Sequence, residues 1–290
     1  MKPADIGIAI LVMLIWGVNF AVAKFALSQF PPIFMMALRF ALVALLLVPF
    51  VRRPLTPMRQ VFGLSLTLGC LHFGLFFTGL RGIDASVAAV VIQLQVPFAV
   101  ILSCLFLRDR PGFVRVLGIL LAFAGVAVIF VSAPVAGHYI SLVLMLSAAL
   151  VWSLANLQIK AMDHVDGMSL NGWMALFAAP ELLAASLVLE RGQWPALASA
   201  DWLGYSAVAF TAVFSTIVGY GLWYRLIHKY PMSLAIPFTL LAPIFGVASG
   251  IILLGEPMTL RLALGSLMTI AGVAIVVLWV PKTALSDAAP

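Results

Sequence analysis

Ten apolar runs, each about long enough to cross a bilayer as a helix, follow one another along this chain of 290 residues. At ~1.5 Å rise per residue, roughly 20 such residues span a hydrocarbon core of ~30 Å. Inside hydrocarbon every backbone N–H and C=O must find a partner within the chain, which leaves helices as the natural reading. Hydropathy and turn residues place the runs near 5–28, 31–51, 60–80, 85–107, 112–132, 138–160, 168–189, 202–226, 232–254 and 259–280. The connections are short, and none is long or polar enough to be a soluble domain. The tail 282–290 is small and polar and is expected to be disordered. The expected fold class is therefore an all-α membrane protein with ten transmembrane helices.

Composition narrows the function classes. The chain is 64% hydrophobic and 9% charged, with a mean hydropathy of +1.18. Soluble domains are nearer ~45–50% apolar and ~25% charged. A formal charge of +6 would suit nucleic acid only as a basic patch on a soluble face, and here the basic residues stand singly or in short clusters between apolar runs. No nucleic-acid partner is expected; the partners are the lipid bilayer and a small-molecule substrate, for a monomer or a homodimer. Cys70 and Cys104 both lie inside apolar spans, which indicates neither a disulfide framework nor a metal site. No HExxH, CxxC, GxSxG or phosphate-binding glycine loop occurs, so no cofactor and no enzyme are expected, nor a self-contained ATP-driven pump. Lys2, the following apolar run and Ala21-Val22-Ala23 imitate a signal peptide with its cleavage site, but the repeat below uses this segment as an ordinary helix.

Lys and Arg set an expected orientation. Lys2, Arg52, Arg53, Arg59, Arg108, Arg110, Arg115, Lys160, Arg225, Lys229 and Lys282 fall on one side, and Arg81, Arg191 and Arg261 on the other. Eleven against three predicts both termini on the cytoplasmic side of the inner membrane.

The stretch Ile83–Leu107 departs from a plain anchor, because Gln93, Gln95 and Pro97 sit near its middle. A proline cannot donate to the carbonyl four residues back, so Pro97 frees the carbonyl of Gln93. Pro243 does the same to Thr239 in the span near 232–254. These interruptions belong to a wider duplication. Leu117–Ala127 (LGILLAFAGVA) and Leu264–Ala274 (LGSLMTIAGVA) agree at seven of eleven positions, each downstream of a proline-interrupted span. Trp16 precedes Lys24 by eight residues, and Trp152 precedes Lys160 by eight. The chain thus reads as two five-span halves, 1–132 and 138–281. An odd number of spans inverts the second half relative to the first, and paired interrupted spans point to a transporter's central site.

Trp16-Gly17-Val18-Asn19-Phe20 with Lys24, Pro31-Pro32, Leu38-Arg39-Phe40, Thr216-Ile217-Val218-Gly219-Tyr220-Gly221 and Leu254-Gly255-Glu256 resemble EamA-type members of the drug/metabolite transporter superfamily. Within it the chain looks most like bacterial exporters of amino acids and related metabolites, including cysteine/O-acetylserine and aromatic amino acid exporters. The resemblance implies two inverted five-helix repeats around a central cavity, with the fifth and tenth helices more peripheral. Where many relatives have Gly-Glu after the fourth helix, this chain has Arg108-Asp109-Arg110.

Candidate substrate-cavity residues follow from placement. Trp152, Asn156 and Lys160 lie at i, i+4 and i+8 on one helix stripe, as do Trp16, Phe20 and Lys24, with Asn19 beside them. They read either as cavity wall or as helix packing, the two lysines snorkelling to opposite surfaces. Arg39 and Glu181 are charges well inside spans, each eight residues or roughly 12 Å below a helix end. Such charges face a cavity, a partner or each other, and one cation with one anion would suit an amino acid. His72 reads as a proton relay or a bridge between helices. Tyr220, between Gly219 and Gly221, is a deeper candidate than the interfacial Trp223 and Tyr224. Gln93 and Thr239 would line the path, and Pro97 and Pro243 would be its hinges. The expected function is a secondary transporter or facilitator working by alternating access, exporting amino acids or similar metabolites. The rivals are a multidrug exporter of lipophilic cations and, from another class, an intramembrane enzyme.

Overall fold

The computed structural model describes residues 1–107, 112–130, 136–162 and 166–279. Ten helices among these are long and apolar enough to cross a membrane. Span 1 is Pro3–Gln29, span 2 Pro32–Phe50, span 3 Met58–Gly82, span 4 Ala85–Phe106 and span 5 Phe113–Phe130. Span 6 is Tyr139–Lys160, span 7 Gly167–Leu189, span 8 Trp202–Lys229, span 9 Ile236–Leu254 and span 10 Leu260–Leu278. The Arg108-Asp109-Arg110 loop and the expected disordered tail lie outside the described residues.

Local chemistry sets where the helices begin and end. Pro3 and Pro32 open spans 1 and 2, where a missing N–H costs nothing. Asp166 accepts the Ser169 N–H at 2.9 Å, Asp201 the Gly204 N–H at 2.9 Å and Thr259 the Leu262 N–H at 3.1 Å, capping spans 7, 8 and 10. Gly255 ends span 9 at φ +68°, the left-handed conformation that glycine adopts without strain.

Between helices in lipid, close van der Waals contact replaces the hydrophobic drive, so small residues carry the seams. Spans 5 and 10 cross as a reciprocal pair. A Cβ added at Gly118 would meet the Gly272 carbonyl oxygen at 2.9 Å, and one at Gly265 would meet that of Gly125 at 2.5 Å. Span 1 meets span 9 at Gly17, where a Cβ would lie 2.8 Å from the Gly246 nitrogen. Span 2 fits span 7 at Gly172, against Leu47 and Val51. Large side chains including Phe30, Phe34, Phe40, Phe77, Met35 and Leu182 fill the interior.

Spans 4 and 9 are interrupted as the two prolines require. Span 4 is α-helical over Ala85–Val91, tightens to a 3₁₀ turn over Ile92–Leu94 and resumes over Gln95–Leu107. Span 9 is preceded by the short helix Met232–Ala235, tightens over Ile236–Leu240, where Pro237 adds a second interruption, and resumes over Leu241–Leu254. The freed carbonyls are partly taken up within the tightened turns, because the Gln95 N–H turns toward Gln93 and the Leu241 N–H toward Thr239. The carbonyl bonded across to another span is that of Gln95, which accepts the Ser153 hydroxyl at 2.7 Å.

Two features have no counterpart in the hydropathy pattern. Spans 3 and 8 each contain an eight-residue π-helical segment, Ser65–His72 and Thr211–Val218. Spans 4 and 9 also touch along one side of their breaks. Toward the face opposite the N-terminus, Ala89 packs on Gly246, and a Cβ at Gly250 would lie 2.8 Å from the Ser86 nitrogen. Toward the N-terminal face they part: Gln95–Leu107 lies on spans 6 and 10, and Ile236–Leu240 on spans 1 and 10.

Candidate functional site

The π segment of span 8 builds the densest cluster of candidates. Its altered register sends the Gly219 N–H back five residues to Phe214, and the Ser215 carbonyl accepts the Trp16 indole N–H at 3.1 Å. Gly219 is needed for that approach, because a Cβ there would stand 2.7 Å from the indole nitrogen. Trp16 then packs on Tyr220 at 5.1 Å and on Trp223 at 5.8 Å between ring centroids, and Tyr220 on Tyr224 at 5.9 Å. The Tyr224 hydroxyl accepts from Asn171 of span 7 at 3.4 Å. Phe20 sets its ring edge against Phe76 at 5.9 Å, while the Asn19 side-chain oxygen is buried with no hydrogen bond.

Arg39 joins the same cluster from span 2. Its Nη2 and Nε donate to the Thr216 hydroxyl at 2.8 and 3.3 Å, and it is 3% exposed. Glu181 is held in a related way elsewhere. It accepts the Ser65 hydroxyl at 2.6 Å, and its second carboxylate oxygen is buried without a hydrogen bond. Each charge, on spans 2 and 7, is thus bonded to a hydroxyl in a π segment, on spans 8 and 3 respectively. Arg39 and Glu181 are not an ion pair; among the described residues the salt bridge is Lys229 to Asp5, at 2.7 Å near the N-terminal face.

The remaining candidates are more dispersed. Asn156 donates to the Trp152 carbonyl of its own helix at 2.7 Å, and both are half-buried. Gln93 and Thr239 are half-buried at the breaks, and Pro97 and Pro243 are buried. His72 bridges helices, its Nδ1 lying 2.9 Å from the Ala148 carbonyl of span 6. Lys24 stays half-buried and donates to the Arg81 carbonyl at 3.2 Å, whereas Lys160 is exposed.

The hydroxyls of Thr216 and Ser65 were not anticipated, because a hydroxyl in an apolar run carries no periodic signal. Two glutamates were also missed as connectors. Glu256, just past span 9, accepts the N–H groups of Ala85 and Ser86 at 2.6 and 2.8 Å, capping span 4. Glu190, just past span 7, accepts those of Ile33 and Phe34 at 2.8 and 2.9 Å, capping span 2. A carboxylate on a helix N-terminus gains both charge-assisted bonds and the helix dipole. Both connections lie on the face where spans 4 and 9 touch. A glutamate directly after a helix that ends on the face opposite the N-terminus was the available sequence signal.

Comparison with known proteins bears on the whole chain. The EamA-like transporter family matches residues 5–131 and 139–278. A probable amino-acid metabolite efflux pump of Salmonella typhimurium is 34% identical over 285 residues, 95% of each chain. Its namesake in Escherichia coli is 33% identical over the same share. An uncharacterized transporter of Archaeoglobus fulgidus is 31% identical over 90% of this chain and 94% of its own. A solved crystal structure at 18% identity superposes over 99% of both chains with a TM-score of 0.64, which supports the fold.

Proposed function

Because the chain belongs to the EamA-like transporter family, we propose that it exports amino acids or related small metabolites across the inner membrane by alternating access. The observation that carries this reading is the one-sided packing of spans 4 and 9. Their halves near Glu256 are closed on each other, while toward the N-terminal face Gln95–Leu107 turns to span 6 and Ile236–Leu240 to span 1, with span 10 packed against both. Trp16, Tyr220 and Trp223 pack together next to the contact of span 1 with span 9 at Gly17, and would form an aromatic wall for a path there. A substrate would enter from the N-terminal side, which the lysine and arginine distribution assigns to the cytoplasm. Pro97 and Pro243 lie where each broken span would bend to exchange the open and closed sides. The named relatives lend the substrate class: two are called probable amino-acid metabolite efflux pumps.

Glu181 is the group on which a proton gradient would act, since one of its oxygens is buried without a donor. The test is counterflow of labelled L-serine and L-phenylalanine in proteoliposomes, with and without an imposed pH gradient. Saturable transport is expected for at least one of the two, and Glu181→Gln is expected to flatten its pH dependence. No saturable amino acid flux would refute the substrate class. An unchanged pH profile in Glu181→Gln would leave that residue a structural bond to Ser65.

A further inference from the structure

We propose that Arg39 is the anchor for a free carboxylate on the substrate, with Thr216 as its positioning residue; this deepens the transport reading above and rests on it. The guanidinium lies roughly 12 Å below the end of span 2 and is 3% exposed, where an unneutralised charge is costly. Its surroundings bond it without neutralising it. The Thr216 hydroxyl donates its own proton to the Thr211 carbonyl at 3.1 Å, which turns its lone pairs toward Arg39. Three aromatic rings, those of Phe73, Phe77 and Phe40, lie 5.4, 5.8 and 6.0 Å from the guanidinium carbon. Rings attract a cation but accept no ordinary hydrogen bond from it.

Neither carboxylate of the described spans pairs with Arg39. Asp5 takes Lys229 and Tyr230, and Glu181 takes Ser65. A guanidinium has five N–H donors, of which Thr216 engages two. If the side chain served only to tether Thr216, a neutral donor would do so without burying a charge. Arginine is the residue whose planar fork matches a carboxylate with two parallel bonds. Tyr220 lies one turn beyond Thr216 on span 8 and is half-buried with Trp16 against it, so the anchor stands beside the aromatic cluster. The site therefore selects small molecules with a free carboxylate and rejects the same molecules as amides.

The experiment competes labelled L-serine or L-phenylalanine counterflow with three unlabelled series: amino acids, their carboxamides, and the amine-free carboxylates of the same side chains. In the unsubstituted protein the amides should compete about 10- to 100-fold more weakly than the acids. In Arg39→Gln that gap should collapse, Arg39→Lys should keep part of it, and Thr216→Val should narrow it. Equal competition by acids and amides in the unsubstituted protein would overturn the anchor while leaving amino acid transport standing. Flux of labelled amine-free carboxylates without any of amino acids would do the reverse. If Arg39→Gln unfolds at the same temperature as the parent and still discriminates, Arg39 is only a tether and the proposal falls. Should Arg39→Gln fail to insert, the acid–amide gap in the parent and in Arg39→Lys decides the matter.

Discussion

At the scale of single residues, the polar groups of this chain divide by what holds them. Arg39 and Glu181 have equivalent hydroxyl partners, yet Arg39 is ringed by aromatics and Glu181 keeps an unbonded oxygen. His72, by contrast, is a bridge to the Ala148 carbonyl, which accounts for it without a proton-relay role. Outside the membrane, Asp166 is a plain cap. The Ser169 hydroxyl, at 2.6 Å, and then backbone N–H groups hold its carboxyl below the usual carboxylate value. A carboxyl with a lowered folded pKa stabilises the fold above its unfolded value, near ~3.9, and loses that contribution as pH falls through the folded value. Asp166→Ala should therefore cost about 0.5–2 kcal/mol at neutral pH. Thermal unfolding in detergent should show the gap to the parent closing below about pH 4. A gap independent of pH would mean that the cap contributes nothing through its charge.

At the scale of elements, two devices meet in spans 4 and 9. The prolines weaken each helix at its break, and Glu256 joins the end of span 9 to the start of span 4. In the proposed cycle the first device would permit bending, and the second ties spans 9 and 4 together on the face opposite the N-terminus. Ser86 is buried beneath this joint and reports on it. In a background lacking Cys70 and Cys104, Ser86→Cys should be nearly unreactive to an impermeant thiol reagent from the face opposite the N-terminus. Adding Glu256→Ala removes two charge-assisted bonds and should raise labelling at least severalfold. Pro97→Ala and Pro243→Ala each return one backbone N–H to the broken helix, Pro237 remaining in span 9, and should slow transport, shifting accessibility toward opposite faces. Labelling and transport unchanged in all three would make the joint and the prolines static features.

At the scale of the whole molecule, spans 5 and 10 form a seam whose two sides answer each other glycine for glycine. A methyl group at Gly125 would press on the Thr269 nitrogen at 2.6 Å and on the Gly265 carbonyl oxygen, neither of which can yield without moving a helix. Gly125→Val should thus lower stability by at least about 1–3 kcal/mol, read as a fall in the unfolding temperature, while leaving carboxylate selectivity intact. A neutral effect would show that the two helices are loosely joined.

The sequence by itself determined the ten spans, because a bilayer demands about 20 apolar residues and a satisfied backbone from any crossing segment. It also marked the breaks at Pro97 and Pro243 and the depth of Arg39 and Glu181, since proline and charge are conspicuous in an apolar run. Partners were decided only in three dimensions. That Arg39 meets Thr216 rather than Glu181, that Trp16 reaches the Ser215 carbonyl, and that Glu256 caps span 4 are contacts between residues 177, 199 and 170 or more positions apart. The π segments of spans 3 and 8 were invisible for the same reason. A shift of one residue in helix register leaves hydropathy unchanged and is selected by what packs against it.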